Sequence, residues 1–494
     1  MPLHPVPKRR STRRLLLGGL LGFLPLAGCG LLADPVPPRA FGPNRFREAS
    51  GTAAWPDPTW WRGFRSAELD GLMAQIASQN LDLAAAAARV RQADASARIA
   101  GSALLPLVTA GASATRSYSG GGGGSGSSSS AASAFGSGSR STTTTRYSID
   151  LAASYELDVW GLNRNNYEAA RLTARAARYS LGTTLITTQA SVANTYFAIV
   201  EAREALRIAE QNLESARRVL AVIRQQVMAG TAAGLDLAQQ ETVVAQQEAT
   251  IPPLRQTVAQ NTAALAVLLG AAPSEFEVTG QSFEGMDVPS PAPGLPSELL
   301  ARRPDVLAAE ADLAAANANV AAARAALFPS INLTAQGGFG SLLVGTLLRP
   351  EAQFYSLAAS LAQTVFDGGA LRGQVELARG QQEELLATYR QVILSALSDV
   401  EQALAALRET TEQERRLAEA ERLAARAYSI AEGQLRGGII NLITLLNVQN
   451  TLFSARRNLS SARLARFQAA VGLFRALGGG WGPDAQVVVA EARR

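Results

Sequence analysis

Residues 163–228 run 66 positions without a proline, and large apolar residues recur every seventh: Leu185, Val192, Ile199, Leu206, Leu213, Leu220 and Val227. That period predicts a coiled-coil seam. Thr188, Thr195, Ala202, Ala209, Ala216 and Ile223 follow most of them by three, so the second seam position is mainly small and neighbouring helices can approach closely. Glu201, Arg203, Glu204, Arg207, Glu210, Glu214, Arg217 and Arg218 are read as the charged faces. At 1.5 Å per residue the helix is roughly 100 Å long, about three bilayer hydrocarbon thicknesses. Charges at every turn exclude a membrane span.

After Gly230 and Gly234 the period resumes at Leu237, Val244, Ile251, Val258 and Leu265. This predicts an antiparallel return helix, interrupted near Pro252 and Pro253. Residues 163–270 are therefore a long hairpin with a glycine-marked tip. An alanine-rich helix is expected over 81–103. The period then switches to two: Tyr147, Ile149, Leu151, Ala153, Tyr155, Leu157 and Val159 alternate with Ser148, Asp150, Ala152, Ser154, Glu156 and Asp158. Thirteen such residues span roughly 43 Å at 3.3 Å each, enough to cross an outer membrane with a tilt. The strands are placed near 104–116 and 146–160, with the Gly/Ser run 120–130 between them as a mobile external loop.

The chain then repeats itself. Leu104-Leu105-Pro106 recurs as Leu327-Phe328-Pro329 at an offset of 223, Val159-Trp160 as Val365-Phe366 at 206, and Gly230 as Gly437 at 207. The second copy holds an alanine-rich helix over 303–326, strands near 327–340 and 353–366, and a hairpin over 370–477 that turns at Gly437 and Gly438. Leu386, Ile393, Val400 and Leu407 mark its seam. The Pro/Gly-rich stretch 273–296 belongs to a small collar domain.

Composition narrows the function. The formal charge of +5 rests on Lys8, Arg9, Arg10, Arg13 and Arg14, without which it is zero, so nucleic acid is not an expected partner. That basic start and the apolar run 15–27 form a signal peptide, with 11–17 leaving open a twin-arginine export route. Leu26-Ala27-Gly28-Cys29 reads as a bacterial lipobox, cleaved between Gly28 and Cys29, whose thiol takes the diacylglyceryl group. Gly30, where an aspartate would hold a lipoprotein at the inner membrane, points to the outer membrane. The chain has one cysteine and one histidine, His4, inside the cleaved segment. Histidine- and thiol-based catalysis and nearly all zinc and copper sites are thereby excluded, and no enzyme, cofactor or metal is expected.

Each chain thus offers four membrane strands, too few to close in lipid, where every open edge leaves backbone groups unpaired. Eight strands in a dimer or twelve in a trimer would satisfy them. Several motifs occur in a fixed order: Trp60-Trp61, Asn80-Leu81-Asp82-Leu83, Leu105-Pro106, the run from Tyr155 through Glu156, Leu157, Asp158, Val159 and Trp160 to Gly161, Arg302-Arg303-Pro304-Asp305, Phe328-Pro329, Phe366-Asp367-Gly368-Gly369 and Gly478-Gly479-Gly480-Trp481. In these the chain resembles the TolC-like outer membrane efflux proteins, more narrowly the OprM/NodT-type lipoproteins of resistance-nodulation-division pumps. The resemblance implies a mainly α fold with membrane β-strands: a homotrimer with a twelve-stranded barrel continuous with a long α-helical periplasmic barrel. It implies a passive exit duct for small molecules, served by a periplasmic adaptor and an inner-membrane pump. Domains are then expected as signal peptide 1–28, lipidated tether 29–60, first repeat 61–270, equatorial linker 271–300, second repeat 301–477 and tail 478–494. The hairpin tips Gly230, Gly234, Gly437 and Gly438 would dock the adaptor. Where the family often carries Leu-Leu-Asp-Ala-Gln at its periplasmic gate, this chain reads Leu445, Leu446, Asn447, Val448 and Gln449, so a gate of apolar and amide contacts is expected at Ile443, Leu446, Asn447 and Asn450. A type I secretion channel and a poreless coiled-coil lipoprotein are the alternatives.

Overall fold

The computed structural model describes Phe46, residues 56–119, 142–289 and 296–479, and Trp481. Gly28, Cys29, most of the tether, the loop 120–130 and Gly480 lie outside them. The chain divides after Pro38, and everything below concerns the unit from Arg39 onward.

A 3-10 turn at Trp60–Phe64 leads into α1 (Ala67–Gln79) and α2 (Leu81–Ser102). Strands β1 (Leu107–Ser119) and β2 (Thr142–Glu156) precede the rods α3 (Leu162–Met228) and α4 (Gly234–Leu268). The second copy follows as α5 (Pro296–Arg302), α6 (Pro304–Ala325), β3 (Ser330–Ser341), β4 (Gln353–Ala362), α7 (Ala370–Arg436) and α8 (Leu442–Ala476). α3 and α7 are each 67 residues long, and α4 and α8 each 35. The four strands form one antiparallel sheet in the order β1-β2-β3-β4. None of the described helices is long and apolar enough to cross a membrane.

The heptad seam does what its spacing requires. Val192, Ile199, Leu213 and Leu220 are buried, as are Thr188, Ala202, Ala209, Ala216 and Ile223. One aromatic cluster knits the two repeats together: Trp60 stacks on Phe474 at 4.8 Å, Phe197 meets Phe467 at 4.8 Å, and Phe283 stacks on Phe467 at 4.7 Å. The linker therefore contributes directly to the core, with Val278, Phe283 and Leu299 buried in it. Glu68 on α1 ties the linker down, accepting from the Thr279 N–H and hydroxyl and, at 2.8 Å, from the Gly280 N–H. Burial pushes this carboxyl up, but the donated hydrogen bonds outweigh it and hold it below the usual glutamate range. A depressed folded-state value stabilises the protein above that range and is lost as pH falls through the lowered value. Acid titration of the near-ultraviolet aromatic signal is expected to show Glu68→Gln lacking that part of the acid transition.

Asn80 and Arg303, 223 residues apart, make the same connection in each copy by different chemistry. Asn80 caps α2, accepting from the Leu83 N–H at 2.8 Å, and donates to the carbonyl of Leu268 at 2.7 Å. Arg303 precedes α6 and donates to the carbonyl of Ala476 at 3.2 Å. Each thereby joins the start of one helix to an orphan carbonyl at the end of the return rod.

Five expectations need correction. α4 runs unbroken through Pro252 and Pro253, because both rings face solvent and the carbonyls they free, on Glu248 and Ala249, are on exposed residues that water can reach. β2 begins four residues before the expected 146 and ends at Glu156, since Asp158 leaves the ladder to cap α3. β1 and β3 each start three residues later than expected, the apolar Leu104, Leu105, Leu327 and Phe328 being used in the helix-to-strand turns. β4 stops at Ala362, leaving Val365 and Phe366 beyond the strand at 95% and 90% exposure. Finally, Gly230 corresponds to Gly438 and not to Gly437: Gly230 and Gly438 have φ of 68° and 69°, whereas Gly437 is right-handed at −81°.

Candidate channel wall and hairpin tips

Cross-strand partners share a face of a sheet, so the register sorts the wall into two surfaces. Ala110↔Leu151↔Gly337↔Tyr355 and Ala112↔Ile149↔Phe339 lie on one, as do Val108↔Ala153↔Ala335↔Leu357 and Tyr155↔Leu333↔Ala359. The other carries Gly111↔Asp150↔Gly338, Thr109↔Ala152↔Gln336↔Ser356 and Ser154↔Thr334↔Ala358. The first is a lipid surface with aromatics toward both ends. The second is polar, with Gln336 Nε2 donating to Asp150 at 3.1 Å and the Ser113 and Ser148 hydroxyls 2.8 Å apart. Gly338 is required there, since a Cβ would sit 2.2 Å from the Ile149 carbonyl oxygen. Along β2, Tyr147 and Tyr155 lie eight residues apart, roughly 26 Å along the strand and about 20 Å along the membrane normal at the usual tilt, which fits within the apolar band of an outer membrane barrel. Leu151→Arg, on the lipid surface, is expected to cost about 2–4 kcal/mol in folding into lipid vesicles. Ala152→Arg, on the opposite surface, is expected to fold like the parent, which a refolding titration would read directly.

Below the strands the wall turns into helices through two unlike corners. Trp160 donates from Nε1 to the Pro329 carbonyl at 2.8 Å and stacks on Phe328 at 4.8 Å. Asp158 accepts from the N–H groups of Asn163 and Arg164 at 3.0 and 2.8 Å, capping α3. In the second copy Asp367 does this from the other side of its aromatic, accepting from the N–H groups of Gly369 and Leu371, both at 2.8 Å. These hydrogen bonds hold the Asp367 carboxyl below the usual range. Gly161 and Gly369, with φ of 83° and 95°, supply the left-handed residue that aims each rod away from the sheet.

At the far end, the tip glycines reverse the chain. After Gly230, Thr231 donates its N–H to Gln226 O at 2.8 Å, and after Gly438, Ile439 donates to Gln434 O at 2.9 Å. Gly234 is the first residue of α4, whose start is tied by the Ala233 N–H on Asp236. Asn441 caps α8 by accepting from the Thr444 N–H at 2.9 Å. On α8, Leu442, Leu445 and Gln449 are buried against the other rods, whereas Ile443, Asn447 and Asn450 are exposed and Leu446 half-buried. Their spacing places Ile443, Leu446, Asn447 and Asn450 along one side of the rod, next to the packed one, with Leu446 at the boundary and in contact with the buried cluster.

A polar seam between the hairpins was not anticipated. Glu204, expected on a charged face, is 4% exposed and accepts from Arg463 Nη1 at 3.1 Å. Arg463 also pairs with Glu414 at 3.5 Å, which pairs with Arg466 at 3.0 Å. One turn-pair nearer the tip, Arg456 reaches Glu421 at 3.4 Å and Asn212 at 3.3 Å. Burial pushes the Glu201 carboxyl up despite the hydrogen bond from Ser460. A signal was present: Arg456 and Arg463 are seven apart, as are Glu414 and Glu421, so all four ride a seam.

A chain with this wall over these rods can surround a water-filled path but cannot close it alone. The profile described as "Outer membrane efflux protein" matches residues 72–271 and 295–479. The pyoverdine export outer membrane protein OpmQ of Pseudomonas aeruginosa is 37% identical over 467 residues, covering 93% of this chain and 96% of its own. The toluene efflux pump outer membrane protein TtgC of Pseudomonas putida is 31% identical over 488 residues, covering 95% and 96%. The outer-membrane channel OprN has a similar structure, with a TM-score of 0.82 at 27% identity over 90% of this chain and 98% of that one. With its paired repeats, two-faced strands and twin rods, this chain belongs to the outer membrane efflux protein family and is the outer membrane channel component of an efflux system.

Proposed function

We propose that three copies join edge to edge, β4 of one beside β1 of the next, into a twelve-stranded barrel over a helical tunnel. That trimer is a passive exit duct for small organic molecules, driven by an inner-membrane resistance-nodulation-division pump through a periplasmic adaptor. The observation that carries this is the sheet itself, four strands with a lipid face, a polar face and two unpaired edges. In lipid those edges must be paired. The export of pyoverdine and efflux of toluene named for the relatives favour small molecules over protein cargo. Cys29, freed by cleavage after Gly28, would add a lipid anchor, and the turns at Gly230, Gly234, Gly437 and Gly438 would meet the adaptor. Deleting the gene is expected to raise accumulation of dyes or antibiotics, with restoration by the intact gene. Normal accumulation in the mutant would favour a poreless spacer.

Ile443, Leu446, Asn447 and Asn450, projecting from one side of α8, form the resting gate in this reading. Apolar and amide contacts close it, so its closure does not depend on carboxylates or divalent cations at these positions. In planar bilayers Leu446→Ala is expected to raise resting conductance several-fold, and Asn447→Asp to make it sensitive to pH and divalent cations. If both variants conduct like the parent, the constriction lies elsewhere.

A further inference from the structure

The base of the sheet holds two cavities that meet at one tripeptide. The lower, of about 790 Å³, lies between α2 and α3 and is lined by Arg98, Arg171, Arg178, Tyr167, Leu104 and Leu105 among others. The upper, of about 550 Å³, is lined by Pro106 and mainly by residues of the lipid surface, Ala153, Tyr155, Leu333, Ala335, Leu357 and Ala359, with Ser154, Thr334 and Ala358 of the intervening row also contributing. Leu104 and Leu105 thus belong to one cavity and Pro106, the next residue, to the other. Three small side chains, Ala153, Ala335 and Ala359, leave a shallow groove between the bulkier Tyr155, Leu333 and Leu357.

The lower cavity has three guanidinium groups against a single lining carboxylate, Asp94, which pairs with Arg178 at 2.5 Å. Arg171 shares Glu168 at 2.9 Å and keeps a side chain 62% exposed. Arg98 on α2 is exposed, and no described carboxylate is paired with it. Gly101 lets the Tyr167 ring lie against α2, because a Cβ there would come within 3.0 Å of it. The result is a cationic mouth and an apolar floor, directly beneath an apolar groove on the lipid-facing wall. We propose that this pair of cavities binds one anionic phospholipid of the membrane's periplasmic leaflet. Arg98 and Arg171 hold its phosphate, Leu104, Leu105 and Tyr167 cover the glycerol, and an acyl chain lies in the Ala153, Ala335 and Ala359 groove. Guanidinium matches a phosphate in geometry and charge. An isolated phosphate would leave both apolar surfaces bare, which is why a lipid is the occupant.

This proposal rests on the trimeric barrel proposed above, and particle mass, measured separately, reports whether that trimer is present. The protein purified in detergent is titrated with phosphatidylglycerol, phosphatidylcholine or inorganic phosphate while its thermal unfolding is followed. Phosphatidylglycerol is expected to raise the melting temperature most, and inorganic phosphate to leave it unchanged. Arg98→Ala with Arg171→Ala, and separately Ala335→Phe, are expected to weaken phosphatidylglycerol binding about tenfold or more with particle mass unchanged. Arg98→Gln alone, at an exposed position, serves if the double variant misfolds, and is expected to weaken binding measurably. Equal responses to the two lipids, a full response to inorganic phosphate, or wild-type binding by folded arginine variants would overturn the proposal.

Discussion

Arg303→Ala is expected to lower the stability of the folded chain by about 2–3 kcal/mol, because it removes charge-assisted hydrogen bonds that tie three elements together, although the carboxylates left behind are reached by water. Its side chain is 11% exposed and joins three elements. Nε and Nη2 bind both oxygens of Asp305 at 3.0 and 2.6 Å, Nη1 and Nη2 each reach Asp399 on α7 at 3.1 Å, and Nη1 also donates to the Ala476 carbonyl. Burial by itself would lower the pKa of this guanidinium, but the two carboxylates hold it raised. Truncation leaves Asp305, Asp399 and the end of α8 without their shared donor. Arg303→Lys is expected to recover only part, since an ammonium cannot span both Asp305 oxygens. Asn80→Ala, at the corresponding place in the first copy, removes a neutral cap and is expected to cost about 1–2 kcal/mol. Denaturation followed by helical circular dichroism would rank the three.

Arg463→Ala is expected to be more severe still, at about 3–5 kcal/mol, because it strands a buried carboxylate. The Glu204 side chain is 5% exposed, and its other cation, Arg207, stands 3.8 Å away. Replacing both partners, Glu204→Leu with Arg463→Leu, is expected to restore most of the loss, since two apolar side chains need no partner. The substitution also loosens α8 from α3. Resting conductance of Arg463→Ala is therefore expected to exceed that of the parent, and the leucine pair to return it toward the parent value.

The rods were legible because a period of seven over 66 residues leaves little else for the chain to become. Their ends were legible too, since glycine marks both tips. Strand limits were not: Leu157 and Val159 continue the alternation of β2, and nothing local announces that Asp158 will leave the ladder to cap α3. A proline pair inside α4 reads as a break when only propensity is considered, whereas packing along α3 carries the helix past it. The tip correspondence went astray by one residue because Gly437 and Gly438 look alike in sequence, and only the sign of φ separates them. Glu204 and Arg463 escaped notice because a charge on a rod is usually solvated. Their partners lie 259 residues apart in the chain, a distance at which spacing alone carries no pairing information. The proposed gate residues of α8 could be named from a motif, but that Ile443, Asn447 and Asn450 are exposed while Leu446 touches the buried cluster became visible only in the folded hairpin.

In lipid the two free strand edges must be satisfied by neighbouring copies of the chain. Native mass spectrometry of the mature protein, purified from outer membranes in detergent, counts the copies directly. Three chains per particle is the predicted result; particles of one chain, or of two, would contradict a twelve-stranded wall.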